Sequence, residues 1–202
     1  MKKITVLLAS LFVLFSTTDA FARGFLIDGG LNFPKFDIKN INSFSLKTYT
    51  GWHAGIGYQT GRALGFSFQP ELNFVRNSVG VEENMGTVTQ VITNMLQLTP
   101  NVQWGIDLLV CKPFLFLAPY ASLNLGNSLK NATAAASELI GNAKKLDYGF
   151  GAGLGLNVWK VQVTAKYNWS FGNVLNWSEY YSQMKNVKLS NGGFVLSAAL
   201  IF

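Results

Sequence analysis

Strict alternation of apolar and polar residues constrains the fold of this chain more than any other feature. It is most regular in VQVTAKYNWSF, residues 161–171, where apolar side chains from Val161 to Phe171 alternate with polar or charged ones. Successive side chains of a β-strand leave opposite faces of the sheet, so this period of two predicts a strand. Two arrangements remain open: a lipocalin-like soluble barrel with the apolar face inward, or an outer-membrane barrel with the apolar face in lipid.

The same alternation recurs in other parts of the chain. The segments are GFLIDGGLNF, GWHAGIGYQ, LGFSFQPELNFVRN, MLQLTPNVQWGI, PFLFLAPYASLNLG, LDYGFGAGLGLNV and GFVLSAALIF. PFLFLAPYASLNLG is the least regular, because Phe114, Phe116 and Tyr120 have the parity opposite to its leucines. An even number of antiparallel strands closes into a barrel without free edges. We therefore expect an all-β fold, an eight-stranded antiparallel transmembrane up-and-down β-barrel.

The predicted connections alternate in length. Those after the second, fourth and sixth strands are short, whereas those over residues 34–50, 77–93, 126–145 and 172–187 are long and polar. Short turns on one side and long loops on the other are typical of bacterial outer-membrane barrels. We expect the long loops to face the cell exterior, and the short turns and the C-terminus to face the periplasm.

The composition of the two faces indicates which one meets lipid. Only 13% of the chain is charged, against about a quarter in ordinary globular proteins, and the apolar faces carry almost none of that charge. Side chains just fill the interior of an eight-stranded barrel, and the small residues and amides of the polar faces suit that space. Gly149, Gly151, Gly153 and Gly155 leave room for larger inward neighbours. The apolar faces are therefore expected to contact lipid.

Aromatic residues cluster near both ends of the predicted strands. Such girdles mark the two interfaces of a membrane. The expected girdle residues are Trp52, Tyr148 and Trp169 towards the long loops, and Tyr58, Trp104, Trp159 and Phe202 towards the short turns.

The N-terminus has the pattern of a secretory signal peptide. Two lysines precede an apolar run, and an A-x-A-like cleavage site follows at residues 20–22. We expect a signal peptide over residues 1–22 and a single barrel domain over residues 23–202. Export and the barrel pattern together predict that the protein lies in the bacterial cell outer membrane.

Four segments carry a family resemblance. QPELNF, LQLTPNVQW, PYASLNLG and DYGFGAGLGLNV occur in that order, with a terminal Phe202, and resemble the PorT-like outer-membrane β-barrel family. The resemblance covers nearly all of the chain beyond the signal peptide. It implies an outer-membrane location and, for some members, a part in protein export across that membrane.

Three charged residues fall on the polar faces at mid-strand depth: Asp28, Glu71 and Lys166. Charges in a narrow lumen are costly unless they are paired. We expect a structural, hydrogen-bonded plug in which Lys166 bridges carboxylates. A gated polar path for a small solute is the alternative.

The sequence offers little for catalysis or cofactor binding. His53 is the only histidine and CxxC is absent, which excludes a histidine metal cluster, and the glycine series does not fit G-x-G-x-x-G. A catalytic triad needs a serine beside His53, but the next same-face residue along its strand is Gly55. We therefore expect no enzyme, no metal and no cofactor, with a lipid-modifying enzyme as the alternative.

The formal net charge of +6 includes no basic cluster, so nucleic acid is not an expected partner. The expected partners are outer-membrane lipid and lipopolysaccharide, whose phosphates loop lysines such as Lys144 can contact. We also expect the barrel-assembly machinery at the C-terminal strand and a protein partner at the loops or turns. The predicted function is a structural, binding or assembly role.

Overall fold

The computed structural model describes residues 24–34, 37–38, 45–82, 88–108, 110–130, 146–171, 175–176, 187–189 and 192–202. The predicted signal peptide, Lys144 and large parts of the predicted long loops lie outside these residues. In the described part of the chain, no helix is long and apolar enough to cross a bilayer.

The described strands follow one another along the chain. They are β1 (Gly24–Pro34), β2 (Asp37–Ile38), β3 (Ser45–Gln59), β4 (Phe66–Glu82), β5 (Val88–Gly105), β6 (Cys111–Lys130), β7 (Leu146–Val158), β8 (Val161–Ser170), β9 (Leu175–Asn176), β10 (Val187–Leu189) and β11 (Gly193–Ile201).

Eight of these strands form a closed barrel, in the order β1-β3-β4-β5-β6-β7-β8-β11. Every neighbouring pair is antiparallel, and β11 closes the barrel against β1. This confirms the predicted eight-stranded up-and-down barrel. The short strands β2, β9 and β10 form a separate three-stranded sheet between the predicted first and last long loops.

The two halves of the barrel wall differ in height. Strands β3 to β6 have 15 to 20 residues, whereas β7, β8, β11 and β1 have 9 to 13. The predicted loop over residues 77–93 is therefore wrong at both ends, because β4 continues to Glu82 and β5 begins at Val88. The predicted loops over 34–50 and 126–145 likewise overlap β3 and β6.

The missed strand extensions are polar but suited to a sheet. Residues 78–82 read SVGVE, with two valines, and residues 88–93 read VTQVIT, with valine, isoleucine and threonine. These β-branched residues favour strands even where polar residues separate them. Their polar composition, without long apolar faces, led to the prediction of a loop.

The barrel has two distinct ends. We call the end with the connections at residues 60–65, 106–110 and 159–160 the turn end, and the opposite end the loop end. The turn at residues 159–160 joins β7 to β8 directly, and Trp159 adopts a left-handed conformation with φ of 59°. A positive φ at the first central residue is typical of the two-residue hairpin turns whose twist matches that of the flanking strands.

The apolar faces point outward along every barrel strand. In β8, Val161, Val163 and Trp169 are exposed on the outer surface, whereas Gln162, Lys166 and Asn168 are buried in the lumen. A water-facing barrel has the reverse arrangement. The outer surface is therefore the lipid-facing one.

Candidate functional site

The lumen is the candidate site, because it holds the buried polar and charged side chains of the described barrel. Two cavities lie within it. The loop-side cavity has about 380 Å³ of empty space, part of it open to solvent, and is lined by Asn32, His53, Asn73, Lys166 and Asn168 among others. The mid-barrel cavity has about 330 Å³ and is lined by Asp28, Glu71, Lys166 and Ser197, with glutamine side chains beneath.

The predicted charge cluster comes together in the lumen, but not as an ion pair. Asp28 and Lys166 are buried, and Asp28 lies within electrostatic range of both Glu71 and Lys166. Among the described residues, however, the Lys166 ammonium has no carboxylate oxygen within 4.0 Å. The Glu71 carboxylate instead accepts hydrogen bonds from Gln69 and Asn73. The prediction that Lys166 bridges carboxylates is wrong in this respect, because amides already occupy the Glu71 oxygens.

His53 forms a hydrogen-bonded relay that links three strands. Its Nδ1 lies 2.8 Å from Asn32 Oδ1, and its Nε2 lies 3.0 Å from Ser197 Oγ. We assign the neutral tautomer in which Nδ1–H donates to Asn32 and Nε2 accepts from Ser197, because this assignment satisfies all three groups. The sequence did not indicate this contact, because no serine lies next to His53 along its own strand. Ser197 belongs to the last strand.

Gly30 makes the relay possible. In the barrel register, Gly30 of β1 lies between His53 of β3 and Ser197 of β11. A Cβ atom on Gly30 would lie 2.6 Å from His53 Cε1 and would collide with the Leu196 carbonyl oxygen. The imidazole therefore crosses β1 through the gap that this glycine leaves.

Serine, histidine and asparagine in this order have the connectivity of a nucleophile, a base and an orienting group. Access opposes that role, because the His53 residue is only 6% exposed. The Asp28 carboxylate also lies 3.6 Å from Nε2, the nitrogen that would take the serine proton. In the described residues, no group of three or more His, Cys, Asp or Glu side chains is placed to hold a metal ion.

A layer of four glutamines fills the lumen towards the turn end. We call Gln59, Gln69, Gln103 and Gln162 the glutamine layer. Gln69 Oε1 accepts from Gln59, Gln103 and Gln162 at 2.8 to 3.2 Å, and Gln69 Nε2 donates to Gln162 Oε1 at 2.8 Å. None of the four residues is more than 2% exposed. Such a buried and mutually hydrogen-bonded layer fills part of the narrow interior of an eight-stranded barrel.

An ion cluster lies at the turn end. Arg62 Nη1 is 3.0 Å from Asp107 Oδ1, and Lys112 Nζ is 3.2 Å from the same oxygen. The Arg62 side chain is only 6% exposed, although it belongs to a turn. The sequence pattern did not indicate this cluster, because its residues lie in two different turns and at the start of β6.

Large aromatic side chains occupy the lumen beside β7. Phe114, Phe116 and Tyr120 are buried inside the barrel, so the expectation that small residues and amides fill the lumen is wrong for β6. Cβ atoms on Gly149 and Gly155 would collide with the rings of Tyr120 and Phe114. The glycine series of β7 thus provides the space for inward aromatic neighbours, as the sequence predicted.

The residues predicted for the aromatic girdles lie on the outer surface or in the turn region. Tyr58 is partly exposed and packs edge-on against Phe25, with ring centroids 5.4 Å apart. The others are exposed by 44% or more: Trp52, Trp104, Tyr148, Trp159, Trp169 and Phe202.

Comparisons with known proteins agree with this architecture. A family model described as outer membrane protein beta-barrel domain matches residues 22–176. The crystal structure of the outer membrane protein OprG from Pseudomonas aeruginosa aligns with a TM-score of 0.59 and 12% identity, covering 90% of this chain and 97% of that chain. The NMR structure of E. coli outer membrane protein W aligns with a TM-score of 0.48 and 11% identity, covering 91% and 100% of the two chains. A comparison with curated proteins found no match.

Proposed function

Because this chain belongs to the family of outer membrane protein β-barrel domains, and so lies in the bacterial outer membrane, we propose that it is a non-enzymatic barrel with a plugged lumen. Its role is structural, or the binding and assembly of partners at its long loops. The loops and the lipid-facing wall, rather than a pore, are then the functional surfaces.

The glutamine layer carries this proposal. Its members donate to and accept from one another, so displacing one leaves several buried polar groups without partners. Leu26 and Ile201 are also buried at this end, at 1% and 4% exposure. A path for solutes would have to break the whole layer. Open diffusion is expected of much wider barrels, of about 16 strands.

Conductance in planar bilayers tests the proposal. We expect the purified wild-type protein to insert without stable, porin-sized openings. The control is the double variant Gln69→Gly and Gln103→Gly, which removes two of the four side chains of the glutamine layer. It should give more frequent openings. Large, long-lived openings in the wild type would instead support the gated solute path.

The resemblance to the PorT-like family supports a more specific alternative, a component of an outer-membrane protein-export system. It rests on QPELNF, LQLTPNVQW, PYASLNLG and DYGFGAGLGLNV. Crosslinking in intact cells through the loops and, separately, through the turns tests it. An export component should capture a periplasmic or membrane protein through the turns, whereas a receptor for external ligands should react through the loops.

The Ser197–His53 contact favours a lipid-modifying enzyme as a second candidate. A serine whose hydroxyl is activated by His53 should react with a fluorophosphonate probe, and both Ser197→Ala and His53→Ala should abolish that labelling. We expect no labelling of the folded wild-type protein. Labelling that depends on both residues would overturn the non-enzymatic proposal.

The remaining parts of the proposal concern targeting and partners. Residues 1–22 act as a cleaved signal peptide, the C-terminal strand engages the barrel-assembly machinery, and the surface contacts lipid and lipopolysaccharide. N-terminal sequencing of the mature protein tests the first point, and a chain that begins before residue 20 would contradict it.

A further inference from the structure

Lys166 is a buried cation without a counter-ion in direct contact. The residue is 8% exposed, and no carboxylate among the described residues lies within 4.0 Å of its ammonium. It also forms no hydrogen bond with a described side chain. A buried charge in this state is costly unless water or a ligand compensates it.

The loop-side cavity offers space for such a ligand. Lys166 is the only residue with a permanent charge among the described residues that line it, so no carboxylate there repels an anion. Its wall also contains the amide side chain of Asn168, whose Oδ1 atom has no hydrogen-bond partner among the described residues. A terminal amide can turn by 180° and present its NH₂ group instead.

We infer that the loop-side cavity binds a small oxyanion, a carboxylate or phosphate group, with Lys166 as its charged donor and Asn168 as a neutral one. Charge-assisted hydrogen bonds of an ammonium to such oxygens are short and strong. The barrel strands surround the cavity, which favours a free solute over a lipid headgroup. The inference goes beyond the proposed function, because it holds whether or not the turn end is closed.

The mid-barrel cavity explains why this is a binding site and not a passage for anions. Lys166 lines both cavities, but the lower one also contains Asp28 and Glu71. An anion that enters from the loop end therefore meets the cation first and two carboxylates beyond it. Like charges at this range repel in a partly dry lumen, so the anion stops at Lys166.

Titration of the folded full-length protein tests the inference. Backbone amide chemical shifts are recorded in nonionic detergent and chloride-free buffer during addition of sodium acetate or inorganic phosphate. We expect saturable shifts at residues of the loop-side cavity. Lys166→Gln should weaken the affinity at least about tenfold, while Lys166→Arg should keep it within about threefold.

Lys160→Gln is the matched control, since Lys160 is an exposed lysine in the turn between β7 and β8. It should leave the affinity unchanged. Heat-modifiable gel migration establishes whether each variant is folded. If Lys166→Gln does not fold, titration of the wild type and of Lys166→Arg still tests the inferred anion site. The absence of saturable shifts in the wild type would mean that Lys166 is compensated internally and would overturn the inference. Equal affinity in a folded Lys166→Gln variant would overturn it as well.

Discussion

The glutamine layer in the turn half of the lumen and the surroundings of Lys166 in the loop half differ in how their polar groups pair. In the turn half, Gln69 is hydrogen bonded to Gln59, Gln103 and Gln162, and all four are buried. In the loop half, Asn168 Oδ1 has no partner among the described residues, and Lys166 has no counter-ion within 4.0 Å. Amide side chains thus bond to one another in the glutamine layer, whereas Asn168 beside Lys166 leaves an oxygen without a described partner.

The difference shows how an eight-stranded barrel can be stable and still be able to bind a ligand. Paired amides act as a rigid filler, because Gln69, Gln103 and Gln162 each find partners for both the oxygen and the NH₂ group of their amides, although Gln59 Oε1 has no partner among the described residues. Groups that lack a protein partner need one from outside. The Lys166 surroundings lie at the loop end and the glutamine layer towards the turn end, so we assign binding and rigidity to opposite ends of one sheet.

The largest effect is expected at Gly30, near the boundary between the halves. Gly30→Ala should lower the free energy of unfolding by about 3 kcal/mol, because the new Cβ would collide with backbone of β11 and with the His53 ring. Gly29→Ala is the control, since its Cβ would lie 3.5 Å from the nearest atom, the His53 carbonyl oxygen. That variant should stay within about 0.5 kcal/mol of wild type. Urea unfolding measures both, and equal effects would contradict the account of the His53 crossing.

A smaller effect separates the two halves directly. Gln69→Leu should lower the free energy of unfolding by about 2 kcal/mol, because the amides of three buried glutamines lose partners. Asn168→Leu, in the loop half, should cost less than about 1 kcal/mol, because its Oδ1 has no described partner. If the Asn168 variant is the less stable one in urea, the proposed division of the lumen is wrong.

The smallest effect is expected at Lys166. Lys166→Met removes a desolvated cation, which is favourable, but leaves Asp28 and Glu71 without the positive charge that offsets their repulsion. We expect a net loss of about 1 kcal/mol in anion-free buffer. Lys160→Met, at an exposed turn, should not change the unfolding midpoint. A Lys166→Met variant that is more stable than wild type would show that the desolvation cost of the ammonium outweighs its effect on the repulsion between Asp28 and Glu71.

Most of the barrel could be predicted because alternation is a local property of each strand. The parity of Val161 and Gln162 is enough to predict which side chain faces lipid once the number of strands is known. The strand ends were less predictable. Residues 78–82 and 88–93 lack a long apolar face, and their pairing with each other and with β3 and β6 keeps them in the sheet.

The site was predictable in composition but not in contacts. Asp28, Glu71 and Lys166 were correctly expected to share the polar parity, yet their separations depend on the stagger of strands around the barrel. The His53–Ser197 contact depends on the pairing of β1 with both β3 and β11, and on a glycine between them. The inward glycines Gly30 and Gly149 were the signals that could have indicated such crossings.

Proton exchange of side-chain amides in the wild-type protein tests the division of the lumen most directly, since it needs no substitution. The NH₂ groups of Gln69 and Gln103 should exchange with water at least about 100-fold more slowly than that of Asn168, because they lie in a closed, hydrogen-bonded layer. Two-dimensional NMR in detergent micelles resolves these signals individually. Exchange of the glutamine layer at the rate of Asn168 would show that water passes freely through the turn half, and would contradict the plugged lumen.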